Sequence, residues 1–147
     1  MLPCEVKNRS KNMNTIYKKF LFRVGSEIAS VAKSIAPYKT GNIKRDIKVI
    51  SYSHKKAVVG NTKLAPYAKF VHFGTKPHII KAKNKKVLAA KGKIFGKKVN
   101  HPGTKANPYL ENAANRYINS SGFTRAKSAL ANEVKNRIVN DIKKAVK

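Results

Sequence analysis

The chain of 147 residues is long enough to bury one modest core and short for two, so a single domain is expected. Its 33 Lys and Arg face only 6 Asp and Glu, a formal charge of +27 that exceeds what solubility needs and implies an acidic counterpart. The single cysteine, Cys4, excludes an internal disulfide and a thiolate metal site, and no apolar run has the length of a signal peptide or a membrane span, which implies a soluble protein of the cytoplasm and no membrane partner.

Residues 1–13 read as a polar, flexible N-terminus. Ile16, Phe20, Val24, Ile28, Val31 and Ile35 then recur at helical spacing with Lys18, Lys19, Arg23, Glu27 and Lys33 between them, the pattern of an amphipathic helix. Asn14 or Thr15 can cap it, and Pro37 ends it near Ile35 by lacking an amide hydrogen and biasing Ala36 away from helical angles. Thr40-Gly41-Asn42 predicts a turn, and Ile43 to Tyr52 a strand with Ile47 and Val49 on one side and Ile50 and Tyr52 on the other. Ser53-His54-Lys55 connects it to a second run, Ala57-Val58-Val59, in an antiparallel hairpin.

Pro66 suits a first helical position and Gly74 the residue past a helix end, so Tyr67, Phe70 and Val71 are expected on one face of a short helix. From 75 to 106 the chain is Lys-rich with the apolar pairs Ile79-Ile80, Val87-Leu88 and Ile94-Phe95, expected to form one or two irregular strands around Asn84-Lys85 and Gly92, as a protruding hairpin or arm. Asn107-Pro108 predicts a helix start, followed at helical spacing by Leu110, Ala113, Ala114, Tyr117 and Ile118. Ser120-Ser121-Gly122 breaks that helix, and from about Thr124 a last one carries Leu130, Val134, Ile138, Ile142 and Val146. The order predicts an α+β fold: a single domain over 14–147 in which the N-terminal amphipathic helix and the C-terminal helices pack on a small antiparallel sheet.

Charge is unevenly placed. No acidic residue lies between Asp46 and Glu111, and every positive residue there is Lys. Lys76, Lys81, Lys83, Lys85, Lys86, Lys91, Lys93, Lys97, Lys98 and Lys105 make the 75–106 segment a candidate basic interaction arm. The absence of Arg disfavours bidentate reading of bases and leaves non-specific phosphate attraction, which weakens steeply with salt.

Reactive constellations are missing. His54, His72, His78 and His101 match neither helical nor zinc-loop spacing, and no two carboxylates are closely spaced for acid–base work. Cys4 has no nearby His to activate it, and Gly92 and Gly96 lack the Gly-Lys-Ser/Thr that closes a phosphate loop. The residues therefore predict no enzyme, no cofactor and no metal. The charge keeps a non-specific nucleic-acid-binding protein as the alternative, with a small basic ribonuclease using His72, His78 and His101 behind it.

Three segments lie in order: Ala36-Pro37-Tyr38-Lys39-Thr40-Gly41-Asn42-Ile43-Lys44-Arg45-Asp46-Ile47, then Ala65-Pro66-Tyr67-Ala68-Lys69-Phe70-Val71-His72-Phe73-Gly74-Thr75, then Asn107-Pro108-Tyr109-Leu110-Glu111-Asn112-Ala113. Together they resemble the small tail-component family of lambda-like long-tailed bacteriophages, typified by gene product ten of one lambdoid phage, over residues 14–118. One departure is His72, where the family often has an acidic residue two before the Gly. The motif positions, Pro37, Thr40, Gly41, Pro66, Tyr67, Phe73, Gly74, Thr75, Pro108, Tyr109 and Leu110, are expected to be structural. Gly41 and Gly74 would take positive-φ turns, the prolines would preset helix starts, and Tyr67, Phe70, Phe73, Tyr109 and Leu110 would be buried.

The resemblance implies a structural protein of phage or prophage morphogenesis, placed at the neck or tail as a head–tail joining or tail-completion subunit. It implies a homo-oligomeric ring on the particle, with head-closure or connector proteins and tail-tube proteins as neighbours and possible non-specific contact with passing DNA. The protein would be made and assembled in the cytoplasm of the bacterial host and end in the virion.

Overall fold

The computed structural model describes residues 3–82, 87–90 and 92–146. In chain order it contains α1 (Pro3–Ile35), α2 (Asn42–Asp46), β1 (Lys48–Tyr52), β2 (Ala57–Gly60), α3 (Ala68–Phe73), β3 (His78–Lys81), β4 (Leu88–Ala90), β5 (Lys93–Gly96), β6 (Lys98–His101), α4 (Tyr109–Ile118) and α5 (Ser121–Ala145). The α+β class holds, built among the described residues from three two-stranded antiparallel sheets. The chain divides into two compact units, one of residues 1–66 with 109–147, the other of residues 67–108.

In the first unit α1 is the hub, packing against the β1–β2 hairpin, α4 and α5. The helix starts at Pro3, well before the expected Asn14: no Gly or Pro interrupts residues 4–24, so the polar residues continue it. Its C-terminus is where expected, with the Ala36 amide still bonded to the Ala32 carbonyl at 2.8 Å before Pro37 removes the next donor. Small residues let the elements close on α1: Ala29, Ala32 and Ala36 are buried along it, Ala113 on α4 and Ala126 on α5. A Cβ on Gly25 would lie 3.3 Å from Val49 Cγ2 and 3.4 Å from Ala57 Cβ, so the glycine sets how closely the hairpin approaches α1. Nearby, Phe22 packs against Tyr52, the rings tilted at 45° and 4.7 Å apart between centres.

Four expectations are corrected here. The strand predicted over 43–52 is split: Asn42–Asp46 is a helical turn that buries Ile43, Ile47 follows it fully buried, and only Lys48–Tyr52 is strand. The i, i+4 spacing of Ile43 and Ile47 serves one helical face better than alternating strand faces. A register shift between Val49 and Ser51 makes Ile50 the extra residue, exposed, so the expected alternation of faces is lost. The C-terminal helices, moreover, pack chiefly on α1 rather than on the sheet. Ser120 caps α5 by accepting from the Phe123 amide at 3.3 Å, which begins the helix at Ser121, three residues before the expected Thr124. Beyond Ala126 the apolar stripe is half-exposed at Leu130 and Val134 and exposed at Ile138, Ile142 and Val146.

The second unit is a short helix and a nested hairpin. β3 pairs with β6 in the register His78↔His101, Ile79↔Asn100, Ile80↔Val99, Lys81↔Lys98, the Ala82 amide bonds the Lys97 carbonyl at 3.0 Å, and β4 pairs with β5 further out. The base is closed by reciprocal amide–carbonyl bonds between Thr75 and Thr104, at 2.9 and 3.1 Å, and the Thr104 amide also lies 3.0 Å from Thr75 Oγ1. Gly74 (φ 72°) and Gly103 (φ 89°) flank this ladder. A Cβ on Gly74 would stand 2.5 Å from the Thr104 carbonyl oxygen and 2.8 Å from the Ala106 nitrogen, so no side chain fits.

The α3 aromatics depart from expectation. Tyr67 precedes the helix at its N-cap position and, like Phe70 and Phe73, is exposed, Phe73 by 78%. A helix of six residues presents too narrow a face to cover all three rings.

Candidate functional site

The first motif segment delivers Ile43 and Asp46 on the α2 turn, which Gly41 opens at φ 78°. The second delivers the Ala65 amide and the third the Tyr109 ring, wholly buried at the start of α4. They meet at Asn61 and Thr62, just past β2. Asn61 donates from Nδ2 to the Ile43 carbonyl at 2.9 Å and accepts the Tyr109 hydroxyl proton at Oδ1. Asp46, 3% exposed, accepts from the Thr62 amide at 2.6 Å and the Ala65 amide at 3.0 Å on Oδ2, and from the Thr62 hydroxyl on Oδ1.

Burial alone would raise the Asp46 pKa, but the hydrogen bonds from the Thr62 side chain and amide and the Ala65 amide, with the charge of Lys48, hold it below the usual 3.8. Burial and then the Asp46 charge push the Tyr109 hydroxyl above its usual 10.0. A carboxylate whose oxygens already accept three hydrogen bonds is held as a fastener and is poorly placed to act as a base. The three segments are therefore joined by a polar knot.

Sequence reasoning missed Asn61, Thr62 and the role of Asp46. Asn61 reads as a turn residue after Gly60. The available signal was Asp46 itself, the lone acid between Glu27 and Glu111, surrounded by lysines and yet drawn inside.

The basic candidates lie elsewhere. Lys76, Lys81, Lys93, Lys97, Lys98 and Lys105 are all exposed, on or beside the nested hairpin; Lys83, Lys85, Lys86 and Lys91 lie outside the described residues. Residues paired across the strands share a face, so Lys81 and Lys98 stand side by side with Ile79 and Asn100, while His78, Ile80, Val99 and His101 occupy the other face. On that second face His78 and His101 lie 5.0 Å apart between ring centres, and His101 Nδ1 accepts the Gly103 amide at 3.0 Å, which commits one ring nitrogen to the backbone. His54 sits in the β1–β2 turn and His72 on α3. Among the described residues no group of three His, Cys, Asp or Glu is placed to hold a metal ion, and no helix is long and apolar enough to cross a membrane.

Fold and site together define a basic α+β protein whose buried polar groups tie distant stretches of its first unit together. Residues 5–74 match the family described as "Bacteriophage HK97-gp10, putative tail-component", just under half of the chain and including the first two motif segments up to Gly74. The match bears out the resemblance over that stretch, and the third segment at 107–113 lies beyond it. No match was found among the curated proteins or the solved structures.

Proposed function

We propose that this chain is a structural morphogenesis protein of a phage or prophage, acting at the neck or tail to join or complete the tail at the head–tail interface. The observation that carries the reading is the family match over 5–74, whose segments are those that the Asp46–Asn61 knot fastens. The protein works by contact, with no turnover of substrate, as a homo-oligomeric ring in the virion beside connector and tail-tube proteins. Subunits of +27 repel, so ring closure requires an acidic neighbour or passing DNA and responds to salt, because screening acts over about 8 Å at physiological ionic strength.

The basic hairpin supplies that contact. Replacing Lys81, Lys83, Lys85 and Lys86 by Gln is expected to weaken binding to connector, tail tube or DNA at low salt; unchanged binding to all three would remove the arm from the mechanism. The reading as a whole is tested by immunogold labelling of particles from a host expressing the phage genes and by negative-stain microscopy of the purified protein. Label at the head–tail junction and annular particles are expected, and label absent from particles would overturn the reading. The charge favours one other reading, a non-specific nucleic-acid-binding protein, for which tight binding of short duplex DNA that survives moderate salt would be decisive.

A further inference from the structure

We propose that the Ile79–Lys81–Lys98–Asn100 face of the nested hairpin docks on a protein surface that combines carboxylates with an apolar socket, and that it is not a DNA-binding face. The inference rests on the arm being the contact element of the reading above and names the chemistry of its partner.

Three observations carry it. A two-stranded ribbon is marginal by itself, and this one places Lys81 directly opposite Lys98, a like-charge pair that costs stability until something negative lies across it. The ribbon also exposes aliphatic groups: Ile79 is 59% exposed on the lysine face, and Ile94, on the outer ladder opposite Ala89, is 75% exposed. Finally, residues 67–108 contain no Asp, Glu or Arg, so the segment offers its lysines no carboxylate of its own.

A second copy of the chain, itself at +27, answers that charge poorly: Asp46 is enclosed in the knot, Asp141 is bonded to Arg137 at 3.3 Å, and Glu5, Glu27, Glu111 and Glu133 are dispersed singly along helices. Ring contacts between copies therefore use other faces. Nucleic acid answers the lysines but not the isoleucines: a phosphate backbone gives an aliphatic side chain nothing to bury against, and stacking on bases needs rings where this face has Ile79. An acidic protein surface with an apolar pocket satisfies both, its carboxylates pairing Lys81 and Lys98 while Ile79 leaves water.

The test uses the full-length protein and three labelled probes in one buffer: a peptide alternating Glu and Leu, a peptide of equal charge alternating Glu and Ser, and a short DNA duplex, with affinity read by fluorescence anisotropy. The Glu-Leu peptide is expected to bind about tenfold or more tighter than the Glu-Ser peptide, and Ile79→Ser to erase that difference, the effect of losing one buried aliphatic side chain. Ile79 is exposed, so Ile79→Ser should fold, which circular dichroism verifies; Lys81→Gln with Lys98→Gln supplies a second variant, expected to weaken both peptides at low salt. Equal binding of the two peptides, or DNA binding tighter than either peptide and indifferent to Ile79→Ser, would overturn the proposal, the latter in favour of nucleic acid. A protein found at the head–tail junction whose peptide binding ignores Ile79 loses this inference alone. One absent from particles whose binding depends on Ile79 loses the placement and keeps the surface.

Discussion

The Tyr109 hydroxyl donates its proton to Asn61 Oδ1 across 48 residues of sequence, and Asn61 in turn donates to the Ile43 carbonyl. One amide side chain thus ties the helical turn after Gly41 to the first turn of α4. An Asn has the donor and the acceptor needed to do both at once, and neither Asp nor Leu offers the pair.

Removing the hydroxyl leaves the half-buried Asn61 Oδ1 without that donor. Tyr109→Phe is expected to lower unfolding free energy by about 1 to 3 kcal/mol, while Asn61→Leu, which removes both the acceptor of the Tyr109 hydroxyl and the donor to the Ile43 carbonyl, should cost more. Urea denaturation measures both. Tyr109→Phe melting like the parent would mean the bond contributes no net stability.

Asp46 gives the chain an acid-sensitive fastening. Its folded pKa lies below the unfolded value, so its stabilisation is complete above about pH 4 and is lost as pH falls through the depressed folded value. Asp46→Asn, which turns an amide toward the Thr62 and Ala65 donors, should cost about 2 kcal/mol or more at pH 7, and the gap between parent and variant should narrow only below pH 4. A gap independent of pH down to pH 2 would contradict an ionised Asp46. At the alkaline end the raised Tyr109 pKa implies stability lost as pH climbs past 10.

At the foot of the nested hairpin the glycine is irreplaceable on two grounds, its positive φ and the Thr104 carbonyl that a Cβ would strike. Gly74→Val is expected to cost at least about 1 to 3 kcal/mol of backbone strain before the clash is counted and to yield little soluble, folded protein. The most local readout is hydrogen exchange at the Thr75 and Thr104 amides, which should lose protection in Gly74→Ala; an unchanged melt would sink the assignment.

Gly25 separates two opposed effects. In mid-helix, Ala is favoured over Gly by about 1 kcal/mol, but a Cβ 3.3 Å from Val49 forces the hairpin outward by a few tenths of an ångström. Gly25→Ala should therefore be close to neutral, whereas Gly25→Leu, whose added carbons have nowhere to go, should destabilise by about 1 to 3 kcal/mol. Thermal melts of the pair check the packing of α1 on β1 and β2.

Much of the architecture was legible because local chemistry dictated it. Pro37 had to end α1, Ser53 and its neighbours had to turn between β1 and β2, and the Thr-Gly and Phe-Gly-Thr patterns marked Gly41 and Gly74 for positive φ. Errors arose where packing overrode local pattern. Ile43 and Ile47 fit either a strand or a helical turn by sequence, and the bonds that Asp46 makes to Thr62 and Ala65 decide for the turn. Burial of Phe70 and Phe73 was expected on hydrophobicity alone, yet a helix of six residues cannot enclose them. Of the knot, Tyr109 was readable as a motif position, while Asn61 and Thr62 were hidden because their partners lie 16 to 48 residues away.

The Thr75–Thr104 bonds bring the two ends of a long excursion back to adjacent points. Whatever lies between them behaves as a cassette: it can be lengthened at the tip, shortened by a rung, or exchanged for a different ribbon without altering where the chain leaves or re-enters, and closing a longer loop adds only about 0.6 kcal/mol per doubling. Selection could re-address such a protein to a new neighbour by editing the excursion while leaving the Asp46 fastening untouched.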